Sequence, residues 1–262
     1  MLDIRDLHVT FTTTGKEAVR GVSLHMDPGE RLGLVGESGS GKTVTAMALS
    51  GLIERSIVQM SGQVVFDGKE LLGRSRRDLR SIQGRDIGVV FQEPMTSLNP
   101  LMRVGAQIEE TLKIHTDKSP EERKRLALEA MTQVGLPDPE RTYRKYPHQL
   151  SGGQRQRAII ASAMVIHPKL LICDEPTTAL DVTVQKQILE LLRSMSEEFG
   201  VGILLISHDM TVVRRLCERV AVMYKGRIVE QGSAEEIFLR PQDEYTRRLI
   251  AAIPTRKRHD GS

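Results

Sequence analysis

A chain of 262 residues is long enough for one large or two modest domains with a sizeable core. Its ordinary apolar (39%) and charged (27%) fractions suit a globular protein, and a net charge of only +3 gives no argument for a nucleic-acid partner. The longest apolar runs, about seven residues, exclude a bilayer-spanning helix, which needs ~20.

The N-terminal stretch MLDIRDLHV carries charge from its third residue and does not read as a signal peptide. LDIRDLHVTF (2–11) alternates as a strand, and AVRGVSLHM (18–26) follows it after a polar turn. DPGE is a turn, and RLGLVG (31–36) is a short apolar strand that runs into glycines. A helix is predicted over 42–50. GQVVFDGKEL (62–71) reads as a strand with an Asp-Gly turn, and DIGVVFQ (86–92) as a short buried strand. The middle changes character. Helical periodicity runs over 104–114 and 120–134, the second opened by Ser119-Pro120 with Glu121 and Glu122. A third helix-like run covers 154–166. The α/β pattern then returns: strand KLLICDE (169–175), helix 182–199, strand GILLIS (202–207) and helix 210–217. Strands RVAVMY and RIVEQG flank a Lys225-Gly226 turn, and two short helices close the pattern. Strands alternating with helices imply an α/β fold with a largely parallel, doubly wound sheet. The expected division is a core of 1–94 and 168–240, an inserted helical subdomain at 95–167, and a short C-terminal helix and tail at 241–262. The RKRH cluster in that tail reads as solvated. Cys173 and Cys217 lie in apolar runs without metal-ligand spacing, which predicts reduced core thiols.

GESGSGKT (Gly36, Glu37, Ser38, Gly39, Ser40, Gly41, Lys42, Thr43) fits G-x-x-x-x-G-K-[ST] between a predicted strand and a predicted helix. Glycines let backbone N–H groups close around phosphates. Lys42 then reaches the β- and γ-phosphates, and Thr43 suits Mg²⁺. LLICDE ends an apolar strand in two acids: Asp174 suits a Mg²⁺ ligand, and Glu175 suits polarising an attacking water. His208 and Gln92 close two further strands at the ends where open α/β sheets bind ligands. QLSGGQRQR (149–157) poses a puzzle. Two glycines before a helix make an anion cradle, yet no lysine completes it.

Phosphate loop, glutamine-ended strand, LSGGQ, LLICDEP, TALD and ISHD follow in that order. This arrangement resembles the nucleotide-binding subunit of an ABC transporter over residues 2 to about 254. The resemblance implies a P-loop ATPase fold with an antiparallel β part at the N-terminus and ATP with Mg²⁺ as ligands. It also implies head-to-tail pairing of two such subunits. Ser151, Gly152, Gly153 and Gln154 then cap the ATP held by the partner's phosphate loop, which answers the puzzle of the missing lysine. It further implies adenine stacking on Phe11, Thr45 among the nucleotide contacts, and Asp181 in a loop between the two sites. Gln92 becomes a Mg²⁺-sensing residue linked to the membrane subunit, Glu175 the base and His208 the switch histidine. FQEPMTSLNP, YPHQLSGGQRQR, EPTTALDVTVQ and PQDEYTRRLIAAIP resemble the dipeptide, oligopeptide and nickel importer group. The implied partners are two transmembrane permease subunits, meeting Asn99-Pro100 and its surroundings, and an extracytoplasmic solute-binding protein acting through them. A second ATPase, paralogous or identical, completes the set, all at the cytoplasmic face of the cell membrane. The chain stops about eight residues after the final IP without further cysteines, which adds weight to nickel without deciding the cargo. Two other readings stay open: a soluble ABC ATPase acting on nucleic acid or ribosomes, and a non-hydrolysing regulatory module.

Overall fold

The computed structural model describes residues 1–91 and 97–253. Strands β1 (Leu2–Phe11), β2 (Glu17–Met26), β4 (Val58–Phe66) and β5 (Lys69–Glu70) form an antiparallel sheet in the order β2-β1-β4-β5. The turn between β4 and β5 is the expected Asp67-Gly68, both at positive φ. Strand β4 starts at Val58, four residues ahead of the predicted stretch, because it pairs along the whole of β1 down to Phe11.

The second sheet holds β3 (Arg31–Val35), β6 (Ile87–Val90), β7 (Leu170–Asp174), β8 (Gly202–Ser207), β9 (Arg219–Tyr224) and β10 (Arg227–Ser233), in the order β10-β9-β3-β8-β7-β6. All pairs except β9–β10 are parallel, so the expected α/β fold with its antiparallel N-terminal part is what the chain adopts. The continuous apolar strands follow from burial on both faces. Leu170 and Ile172 of β7 join one core and Leu171 and Cys173 the other. The first core lies between this sheet, the antiparallel sheet and helix α1 (Lys42–Leu49). On the other face pack α3 (Val104–His115), α4 (Pro120–Gln133), α6 (Gly152–Met164), α7 (Val182–Phe199) and α8 (Met210–Leu216). Helix α7 shows why: Ile188, Leu189, Leu191, Leu192 and Met195 make one buried stripe, Asp181 caps its start, and Gly200 at φ 66 stops it.

Short helices α2 (Arg76–Arg80) and α5 (Pro139–Tyr143) were not visible in the periodicity, and α9 (Ala234–Leu239) and α10 (Glu244–Ala251) are the two expected near the C-terminus. Cys173 and Cys217 are free and buried, and burial pushes both thiols up, away from reactivity.

Candidate nucleotide site

Parallel register gathers the site. Val35 of β3 stands opposite Ser207 of β8, and Asp174 of β7 opposite Ile206. The carboxyl ends of three adjacent strands therefore deliver the glycine loop, the Asp174–Glu175 pair and His208 to one edge. Gln92 lies outside the described residues.

The glycine loop turns from β3 into α1. Gly36 (φ +154) passes so close to β9 that a Cβ there would sit 2.1 Å from the Met223 carbonyl oxygen. Gly41 (φ +110) precedes the helix with its ideal Cβ 2.5 Å from the Ala18 oxygen. Only glycine fits either position. Lys42, 7% exposed, folds back to donate from Nζ to the carbonyls of Gly36 (2.7 Å) and Glu37 (2.9 Å). Burial holds its ammonium below the ordinary lysine range, while Glu175, Asp174 and Glu37 pull it back up. Such a cation gains from an arriving anion.

Asp174 is buried, and its Oδ1 has no hydrogen-bond partner among the described residues. Burial pushes its carboxyl up; a hydrogen bond from Thr43 opposes this, Glu175 adds to it, and Lys42 opposes it again. An orphaned carboxylate oxygen beside a threonine hydroxyl fits a hard divalent cation such as Mg²⁺. Glu175, at φ +49, is tied to the next strand. Its Oε1 accepts from the His208 backbone N–H (2.9 Å) and lies 2.6 Å from His208 Nδ1. Its Oε2 accepts from the hydroxyl of Thr178 at 3.2 Å. With Nδ1 as donor, Nε2 of a neutral His208 is left as an acceptor.

Lys42, Glu175 and His208 face one cavity of about 530 Å³, a size that suits a small-molecule ligand, while Gly36 and Asp174 lie outside its lining. Of the residues singled out in the sequence, Phe11, Glu37, Ser38, Gly39, Gly41, Lys42, Thr43, Glu175 and His208 line it. Ser40 is buried in the loop with its hydroxyl unpaired. Thr45 does not reach the cavity and corrects the expectation: it is fully buried, its hydroxyl donating to the Gly41 carbonyl (3.0 Å), because two residues past Thr43 the helix has turned its side chain inward. Lys16, Ala18, Val44 and Leu249 also line the cavity, and none was singled out from the sequence. Lys16 is held beside Phe11, its carbonyl accepting from the N–H of Phe11 (2.9 Å) across the polar turn after β1.

Residues 19–178 match the family model described as ABC transporter. The chain belongs to the ABC transporter family. The oligopeptide transport ATP-binding protein OppD of Bacillus subtilis is 48% identical over 258 residues, spanning 97% of this chain and 72% of that protein. The dipeptide transport ATP-binding protein DppD of the same organism is 44% identical over 97% of this chain and 77% of its own length. Among solved structures, the ATP-binding cassette MJ0796, a dimer in a post-hydrolysis state bound to ADP and Pi, superposes with a TM-score of 0.80 at 29% identity, covering 89% of this chain and 99% of that one. ATP is thus the ligand of this ABC protein, and its reaction is hydrolysis.

The second glycine motif of the ABC protein stands apart. Ser151 caps α6: its hydroxyl accepts from the Gln154 N–H (3.3 Å), and the Gln154 side-chain oxygen accepts from the Ser151 N–H (3.1 Å). Ser151 and Gly152 are exposed, and a Cβ on Gly153 would press on Val184 of α7 at 2.8 Å. None of Ser151–Gln154 lines the cavity that holds Lys42. Asp181 is exposed as well, its carboxylate accepting from the N–H groups of Thr183 (3.0 Å) and Val184 (2.9 Å) at the start of α7. The cradle and this cap stand side by side on the surface.

Proposed function

We propose that this ABC ATPase energises a peptide importer and works as one half of a head-to-tail pair, each half completing the other's ATP site. The observation that carries the pairing is the separation just described: an exposed anion cradle at Ser151 without a lysine, outside a cavity that has one. Lys42 and the N–H groups of Ser38–Thr43 hold the β- and γ-phosphates, and Phe11 stacks on adenine. Thr43, Asp174 and Gln92 hold Mg²⁺, which supplies charge neutralisation across the phosphates. Glu175 takes a proton from the attacking water, and His208, tied to it through Nδ1, aligns the pair. The partner's Ser151–Gln154 and Asp181 equivalents close the second side, so hydrolysis needs the closed pair. Residues 1–94 with 168–240 act as the ATP-binding unit and 95–167 as the arm carrying the cradle, with 241–262 as a C-terminal appendage. Two permease subunits, meeting the surroundings of Asn99 and Pro100, receive the motion at the cytoplasmic face of the membrane. A solute-binding protein delivers cargo to them. No helix among the described residues is long and apolar enough to cross a membrane itself.

The peptide assignment draws on what the relatives are named for. Uptake of labelled dipeptide and labelled nickel in cells whose only copy carries Glu175→Gln tests it. Loss of dipeptide uptake alone is expected. Loss of nickel uptake alone would move the chain to metal import, and persistence of both would overturn the assignment.

A further inference from the structure

Helix α10 brings two side chains to the ATP cavity. Tyr245 and Leu249 stand four residues apart and so share a face of that helix. Leu249 lines the cavity directly. Tyr245 is buried and stacks on Tyr224 at the end of β9, with ring centroids 4.1 Å apart and planes inclined by 33°. Its hydroxyl accepts from the backbone N–H of Glu37 at 2.9 Å, across 208 residues of sequence.

That N–H belongs to the Gly36–Glu37 peptide, and the carbonyl of the same peptide accepts from Lys42 Nζ at 2.7 Å. One peptide plane is thus held on both sides, by Tyr245 at its N–H and by Lys42 at its oxygen. Gly36 has no side chain to resist rotation of this plane. The tyrosine is itself well placed. The Asp243 carboxylate accepts from the Tyr245 N–H (2.8 Å) and the Thr246 N–H (3.4 Å), and Glu230 of β10 accepts from the N–H groups of Gln242 (2.7 Å) and Asp243 (3.1 Å).

We propose that Tyr245 is a positioning residue for ATP binding: by pinning the Gly36–Glu37 peptide it fixes the carbonyl on which Lys42 rests and so aims the ammonium at the phosphates. The inference rests on the assignment of Lys42 to phosphate binding. It makes the C-terminal helix part of the nucleotide site, although the matched family region ends at residue 178.

Tyr245→Phe removes the hydroxyl and keeps the ring. Loss of one hydrogen bond at this peptide predicts an ATP Kd for the full chain raised about threefold to tenfold. In the assembled transporter KM for ATP rises by the same factor while kcat stays within about twofold, because Glu175 and His208 are untouched. Tyr224→Phe, which keeps the stack, leaves Kd unchanged. Asp243→Ala, which loosens the turn carrying Tyr245, shifts Kd in the same direction and carries the test should Tyr245→Phe fail to fold. An unchanged Kd and KM in Tyr245→Phe overturns the inference, even with a lowered Tm, since the hydroxyl then serves stability alone. A fall in kcat at unchanged KM overturns it too. Failure of the unaltered chain to bind ATP falls instead on the assignment of the site.

Discussion

Gly36→Ala puts the geometry of the phosphate loop to a quantitative test. The new Cβ would stand 2.1 Å from the Met223 carbonyl oxygen and 2.9 Å from Ser40 Oγ. The first is backbone of a central strand and cannot swing aside. A φ of +154 adds strain that an L side chain resists, on the order of 1–3 kcal/mol. Forcing the loop off β9 adds overpacking of about 1–3 kcal/mol. Together these remove roughly 2–6 kcal/mol from a stability on the order of 5–15 kcal/mol. Any relaxation must also move the Gly36–Glu37 peptide and with it the acceptor for Lys42. Gly39→Ala is the internal control. Gly39 has a positive φ (+79), but a Cβ there meets nothing within 4 Å, so only backbone strain of about 1–3 kcal/mol applies. Urea denaturation of both variants, followed by ATP titration of the folded fraction, reads both effects. Gly36→Ala should be the less stable and the weaker binder. Equal stability of the two, or unchanged ATP affinity in Gly36→Ala, would refute the close-approach argument.

Asp174→Asn removes a carboxylate that burial already pushes toward its protonated form. An acid raised in the folded state loses stability as pH rises past its ordinary value near 3.8, so the nucleotide-free variant should melt no lower than the unaltered chain at neutral pH. Its Mg²⁺-dependent hydrolysis should nonetheless fall by at least about tenfold, and wild-type turnover would contradict Asp174 as a ligand. His8 is held above 6.5 chiefly by its hydrogen bond to Glu17, with burial opposing and Asp6 adding. A raised histidine stabilises fully below 6.5 and loses that contribution as pH climbs through the raised value, so His8→Gln should lower Tm more in mildly acidic than in alkaline buffer. A Tm difference independent of pH would exclude the ion pair as its cause.

Strong local signals made much of this molecule legible. Helix α7 has its predicted bounds because cap, apolar stripe and terminal glycine agree. Strands β3 and β8 also match, being short apolar runs closed by glycines and polar residues. Helices α2 and α5 escaped because five residues carry too little periodicity, although Ser75 and Asp138 cap them. Thr45 shows the reverse failure: the family resemblance implied a nucleotide contact, and helical geometry turns its hydroxyl inward. The loop residues of the site were readable from type and order, since phosphate chemistry restricts both. Tyr245 was not, because its hydrogen bond to Glu37 spans 208 positions and nothing local marks it.

The central claim is that the Ser151 cradle serves ATP held by another subunit. Ser151→Arg in this chain tests it, because Ser151 is exposed and losing its cap costs only about 1 kcal/mol. The account predicts that the isolated chain keeps its ATP Kd, because its own Lys42 cavity is intact, while phosphate release from the assembled complex falls at least about tenfold. Weakened ATP binding by the isolated variant, or undiminished phosphate release from the complex, would contradict the shared site.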